Sequence, residues 1–73
     1  HIADTNNKFV LSTEHILPDG SGYLCLINYS SFTETITLSI KNGYEVYDLN
    51  DNLITNLSLT FTCNECLILK VKT

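Results

Sequence analysis

The chain has 73 residues, 44% of them hydrophobic and 16% charged, a globular rather than disordered balance. A chain this short holds one domain and buries only about 60% of its unfolded surface, so its core is small. Eight acids against four lysines and no arginine give a net charge of −4, which excludes a phosphate-tracking nucleic-acid surface and disfavours anionic lipid.

No apolar run reaches the roughly 20 residues that span a bilayer. The chain opens on His1 without an initiator Met, so residues 1–73 are expected to be a single domain that forms one module of a larger polypeptide. Three cysteines are an odd number for a disulfide framework and leave at least one thiol free, without placing the chain in a compartment.

In chain order, "KFVLST" (8–13) is the first strand candidate, followed by the "PDGSG" loop (18–22). "GYLCLIN" (22–28) is apolar at nearly every position, which fits a central strand covered on both faces or, by pattern alone, a short buried helix; Gly20, Gly22 and the β-branched run after it favour strand. "TETITLSI" (33–40) alternates strictly, with Ile36, Leu38 and Ile40 on one face and Thr33, Thr35, Thr37 and Ser39 on the other. That period of two is a half-buried strand with a hydroxyl face toward water.

Asn42-Gly43 supplies the positive φ of a type I′ hairpin turn and leads into "YEVYDL" (44–49). "NDN" (50–52) marks a turn before a short "LIT" piece. "LSLTFT" (57–62) points Leu57, Leu59 and Phe61 inward. "LILKVK" (67–72) points Leu67, Leu69 and Val71 inward and Ile68, Lys70 and Lys72 outward, the lysines discouraging edge pairing. No window keeps a 3.6-residue period. The expected fold is all-β, a small antiparallel Greek-key β-sandwich of about six to seven strands.

Cys63 and Cys66 in "TCNEC" (62–66) have the spacing of a zinc half-site or a redox pair. A structural zinc needs four ligands. Only Cys25, His1 and His15 remain to complete it, and Cys25 is expected to face the core or the opposite sheet. A thioredoxin-like thiol needs a helix N-terminus to lower its pKa, and this pair lies between two strands. The leading reading is a hairpin turn with Asn64-Glu65 at its tip, and Cys63–Cys66 is a candidate local disulfide.

Asp48, Asn50, Asp51 and Asn52 resemble a calcium loop, but the Gly and the distal Glu that an EF-hand fixes are missing, so this segment reads as a solvated turn. The acids fall in loops or on exposed strand positions, with no pair placed for glycoside hydrolysis. There is no nucleophile elbow and no Gly-rich phosphate loop, so the chain is read as no enzyme and as carrying no cofactor. Tyr23, Tyr29, Tyr44 and Tyr47 are common strand residues that also stack on sugars. Asn42 and Tyr44 are the candidate glycan contacts. Asn28-Tyr29-Ser30 and Asn56-Leu57-Ser58 fit the N-glycosylation pattern.

From Tyr23 onward the order and spacing of "GYLCLINYSSFTETITLSI", "GYEVYDLNDNLIT" and "LSLTFTCNECLILKV" resemble the C-terminal β-sandwich of TIM-barrel glycoside hydrolases and related carbohydrate-active enzymes. About 50 residues share the pattern. In such enzymes the catalytic acids lie on the barrel, so no catalytic residue carries over. The resemblance implies a non-catalytic accessory domain, whose partner is the catalytic domain of the same polypeptide. The Cys63–Cys66 segment departs from the Pro- or Tyr-containing closing turn of that family. The alternative is an immunoglobulin-like carbohydrate- or protein-binding module. A third reading is a small zinc or redox module built on Cys63 and Cys66.

Overall fold

The computed structural model describes residues 2–73, so His1, one of the candidate zinc ligands, lies outside the described residues. Seven strands form the fold: β1 (Ala3–Thr5), β2 (Val10–Ile16), β3 (Gly22–Asn28), β4 (Glu34–Ile40), β5 (Glu45–Tyr47), β6 (Ser58–Phe61) and β7 (Cys66–Lys72). They pair antiparallel into a three-stranded sheet, β1-β4-β6, and a four-stranded sheet, β2-β3-β7-β5. The two sheets form the expected small β-sandwich. Only β2 and β3 form a sequential hairpin; every other connection passes between the sheets.

The alternating patterns do the folding. Ile36 and Leu38 on β4, with Phe61 on β6 and Ala3 on β1, close the core from one side. Leu24 and Leu26 on β3, Leu69 and Val71 on β7, Val46 on β5 and Val10 on β2 close it from the other. Each of these Val, Leu, Ile and Phe side chains contributes about 1.5–3 kcal/mol by leaving water. The opposite face of the three-stranded sheet carries the threonines and serines, with Thr35 Oγ1 3.1 Å from Thr60 Oγ1.

The structure departs from the sequence reading at several places. The sheet opens at β1, ahead of "KFVLST", and β2 runs on to Ile16. β1 shows little apolar pattern and is held by pairing with β4 and by Glu14, whose carboxylate accepts the N–H groups of Ile2 (2.7 Å) and Ala3 (3.2 Å). Glu14 and Glu34 are half-buried rather than exposed. Asn42-Gly43 is no hairpin turn, because β4 and β5 belong to different sheets. Positive φ falls at Gly43 (95°) and not at Asn42, in a turn closed by Tyr44 N–H to the Lys41 carbonyl, as in type II geometry. "LSLTF" and "LILKV" likewise do not form a hairpin: β6 and β7 lie in opposite sheets, and residues 62–65 carry the chain across the sandwich.

Asn28 sits where that crossing happens. It is fully buried at the end of β3. Its Nδ2 lies 2.9 Å from the Phe32 carbonyl, 3.0 Å from that of Thr62 and 3.3 Å from that of Phe61, while its Oδ1 accepts the Ser30 N–H at 2.8 Å. The Asn28 side chain is therefore no glycan acceptor in the folded chain; Asn56, in the second such triplet, is exposed.

Four carboxylates are held below the ordinary carboxylate range: Asp19 by the Ser21 hydroxyl, Glu34 by Asn7 and then Ser30, Asp48 by the Asn52 N–H and amide, and Asp51 by Lys70. A carboxyl depressed in the folded state contributes stability above its unfolded pKa, near 4, and loses it as pH falls through the folded value. The thermal midpoint is thus expected to be level from pH 7 to about 5 and to drop below about 4. The drop should be smaller in Glu34→Gln and in Asp48→Asn, followed by circular dichroism melts across that range.

Candidate functional site: the outer face of the four-stranded sheet

The register places the outward side chains of the four-stranded sheet in rows across the strands. His15, Tyr23, Lys70 and Tyr47 form one row; Thr13, Cys25 and Ile68 the next; Leu11, Ile27 and Cys66 the third. Leu49, just past β5, joins Thr13, His15, Tyr23, Cys25 and Ile68 around an open groove of about 430 Å³ whose walls are almost wholly apolar. Leu11 is 48% exposed, Tyr23 47%, Ile68 44% and Leu49 53%. The two outer faces of the sandwich thus differ in kind: hydroxyls on one, aliphatic and aromatic carbon on the other.

This corrects the reading of "GYLCLIN". β3 is central, between β2 and β7, but only Gly22, Leu24, Leu26 and Asn28 are buried. Tyr23, Cys25 and Ile27 point away from the core, and Cys25 faces neither the core nor the other sheet. Near-continuous apolar character was the signal available in the sequence. What it could not supply was that the second face stays partly open to solvent, with Tyr23 exposed and Cys25 and Ile27 half-buried.

One rim of the face is charged. Asp51 Oδ1 lies 2.9 Å from Lys70 Nζ and 3.6 Å from Lys72 Nζ. Lys72 also lies 4.7 Å from the centre of the Tyr47 ring, and the Tyr47 hydroxyl donates to Glu45 at 3.2 Å. Asp51 raises the Lys70 pKa. Partial burial first, then the Glu45 carboxylate, raise that of the Tyr47 phenol. These pairs serve one another and bind the β5 edge to β7.

Cys63 and Cys66 are separated in role. Cys63 is exposed in the turn that follows β6, whose Asn64 has φ 60° and whose Glu65 Oε1 accepts the Thr62 N–H at 2.8 Å. Cys66 begins β7, and the sulfur beside it is that of Cys25, at 3.4 Å. All three are free thiols. The hydrogen bond with Cys25, then burial, raise the Cys66 pKa. Among the described residues no three His, Cys, Asp or Glu side chains converge to hold a metal ion, so Cys25, Cys63, Cys66 and His15 are not gathered into a zinc set.

Asn42 is exposed in its turn, whereas Tyr44 is half-buried, packs against the core and lines a separate open groove with Glu45, Leu53 and Ile54. In the loop after β5, the Asp48 carboxylate accepts the N–H groups of Asn50 (2.8 Å) and Asn52 (2.9 Å). That is an Asx-type turn satisfied by its own backbone.

No family model, curated protein or solved structure matches the chain. The class that the fold and this face define is a small all-β sandwich with one hydroxyl and one apolar outer surface.

Proposed function

We propose that the chain is a non-catalytic accessory domain that packs through the outer face of its four-stranded sheet against a larger domain of the same polypeptide. The observation that carries this is the uncovered apolar side of the central strand β3. A sheet covered on both sides needs strands apolar at nearly every position, and "GYLCLIN" has that pattern while the fold covers one side only. Three strands of seven residues, each about 23 Å long, and the three-residue β5, spaced about 4.8 Å apart, give a footprint of roughly 400 Å² on each partner. Inter-domain contacts bury about 600–1,500 Å² in total, so a flat match to this face is large enough.

The finer identity of that partner rests on the resemblance in the sequence: the catalytic barrel of a carbohydrate-active enzyme. Nothing in the geometry adds a catalytic role to the sandwich itself. The test compares Ile68→Glu in two settings. In the isolated 73 residues it should move the melting temperature by no more than a few degrees, since Ile68 is already exposed, and should reduce binding of an apolar dye. In a polypeptide that carries the larger domain, the same change should destabilise the junction, read as faster proteolysis between the domains. An unchanged proteolysis rate in the longer polypeptide, or turnover of aryl glycosides by the isolated chain, would sink the proposal.

A further inference from the structure

Two thiols face each other on this sheet without any sequence motif to announce them. Cys25 pairs across the strands with Ile68, and Cys66 pairs with Ile27, which makes the two cysteines diagonal neighbours on the outer face. Diagonal positions are far enough apart that only side chains turned toward one another meet, and here the sulfurs are in contact at 3.4 Å. A disulfide needs about 2.0 Å, so roughly 1.4 Å of approach remains. Cys66 is the first residue of β7, next to the turn at 62–65, where the strand end can give. One thiol is exposed and the other half-buried, at an apolar groove open to solvent.

We infer that Cys25 and Cys66 form a dithiol site for thiol–disulfide exchange, oxidised by low-molecular-weight disulfides such as oxidised glutathione. One thiolate of the pair attacks a glutathione sulfur; the S–S bond of glutathione disulfide breaks and one glutathione thiolate leaves. The other protein thiolate then attacks the protein sulfur of the mixed disulfide and expels the second glutathione. The two protons of the protein thiols end on two glutathione thiols, so the protein loses two hydrogens and one glutathione disulfide is reduced to two thiols. The bond joins the central strand to its neighbour across 41 positions of sequence. The pair lies on the face proposed above to dock, so exchange with glutathione is expected of the 73-residue chain, in which that face is open to solvent.

Sequence proximity and native geometry make opposite assignments, and this sets the test. Cys63 and Cys66 are three positions apart, so in the unfolded chain loop-closure entropy favours joining them. In the folded chain the contact favours Cys25–Cys66. The purified chain is incubated with oxidised glutathione in native buffer and, separately, in concentrated urea, alkylated, and mapped by mass spectrometry with disulfides intact. In native buffer the expected product is the Cys25–Cys66 link with Cys63 unlinked to the protein. In urea it is predominantly Cys63–Cys66. Cys63→Ser, a change at an exposed turn, should oxidise in native buffer to the same extent as the parent chain. A native Cys63–Cys66 link, loss of the intramolecular bond in Cys63→Ser, or glutathione adducts with Cys25 and Cys66 left unlinked would each overturn the inference.

Discussion

Asn28→Ala is expected to lower the unfolding free energy by about 3 kcal/mol, read as a fall in the urea midpoint. A 73-residue domain holds only about 4–11 kcal/mol in total, so the loss is a large share. The mechanism is specific. The Asn28 amide carries two hydrogens and spends them on the carbonyls of Phe32 and Thr62, with that of Phe61 at the margin of reach. Alanine strands the Ser30 N–H and the Phe61 carbonyl in buried surroundings and the Phe32 and Thr62 carbonyls in partly buried ones, and loosens both the β3–β4 connection and the crossing from β6 to β7.

Asn28→Asp separates the hydrogen bonds from the volume. It keeps the shape but turns a donor into a second oxygen aimed at carbonyl oxygens. Buried and surrounded by acceptors, this carboxyl would have its pKa raised. A raised pKa leaves it neutral in acid, and the penalty grows as pH rises above the unfolded value near 4. The variant, compared with the parent chain at each pH, should therefore be less destabilised at pH 4 than at pH 7. An Asn28→Ala unfolding free energy within about 0.5 kcal/mol of the parent chain, on the scale of ordinary surface changes, would contradict this account.

Gly22→Ala is the second large effect. Gly22 lies opposite Ile16 in the β2–β3 ladder and opposite Val71 on the other side. A Cβ there would run into the His15 carbonyl oxygen and the Ile16 Cα, which are backbone atoms that cannot swing aside. Overpacking of this kind costs about 1–3 kcal/mol, and on a domain of this size the upper end is a fall of about 15 °C in melting temperature. Gly43→Ala provides the comparison. Nothing lies within 4 Å of a Cβ at that position, but its φ of 95° strains an L-residue, so a smaller loss of about 1 kcal/mol is expected. Melts of the two variants side by side rank them; equal losses would remove the steric argument for Gly22.

Inside and outside on β4, β6 and β7 followed directly from the residues, whereas β1 and the outer side of β3 did not. Ile36, Leu38 and Ile40 on β4 and Leu59 and Phe61 on β6 alternate with hydroxyl or charged neighbours, and Leu69 and Val71 on β7 with Ile68 and two lysines, and a pleated strand has no other way to sort them. All-β class and strand number come from the same source. Pairing between sheets does not. The two stretches around "TCNEC" match as well across the sandwich as they would side by side, because period two assigns a face and leaves the neighbour open. Asn28 looked like a strand end, and only the approach of Phe61 and Thr62 from the other sheet makes it the polar anchor of the fold.

The same division holds at the surface. Composition and pattern alone determined a small, acidic, all-β domain with a hydroxyl face and a near-continuous apolar strand. Only the tertiary structure decided that this strand has one bare side, and that the sulfur nearest Cys66 is Cys25 rather than Cys63. The physical reason is that alternation is local, set by neighbours two residues apart, whereas the contact between β3 and β7 joins segments some forty residues distant. Which side chains meet across that ladder depends on register, and register is settled by the packing of the whole core.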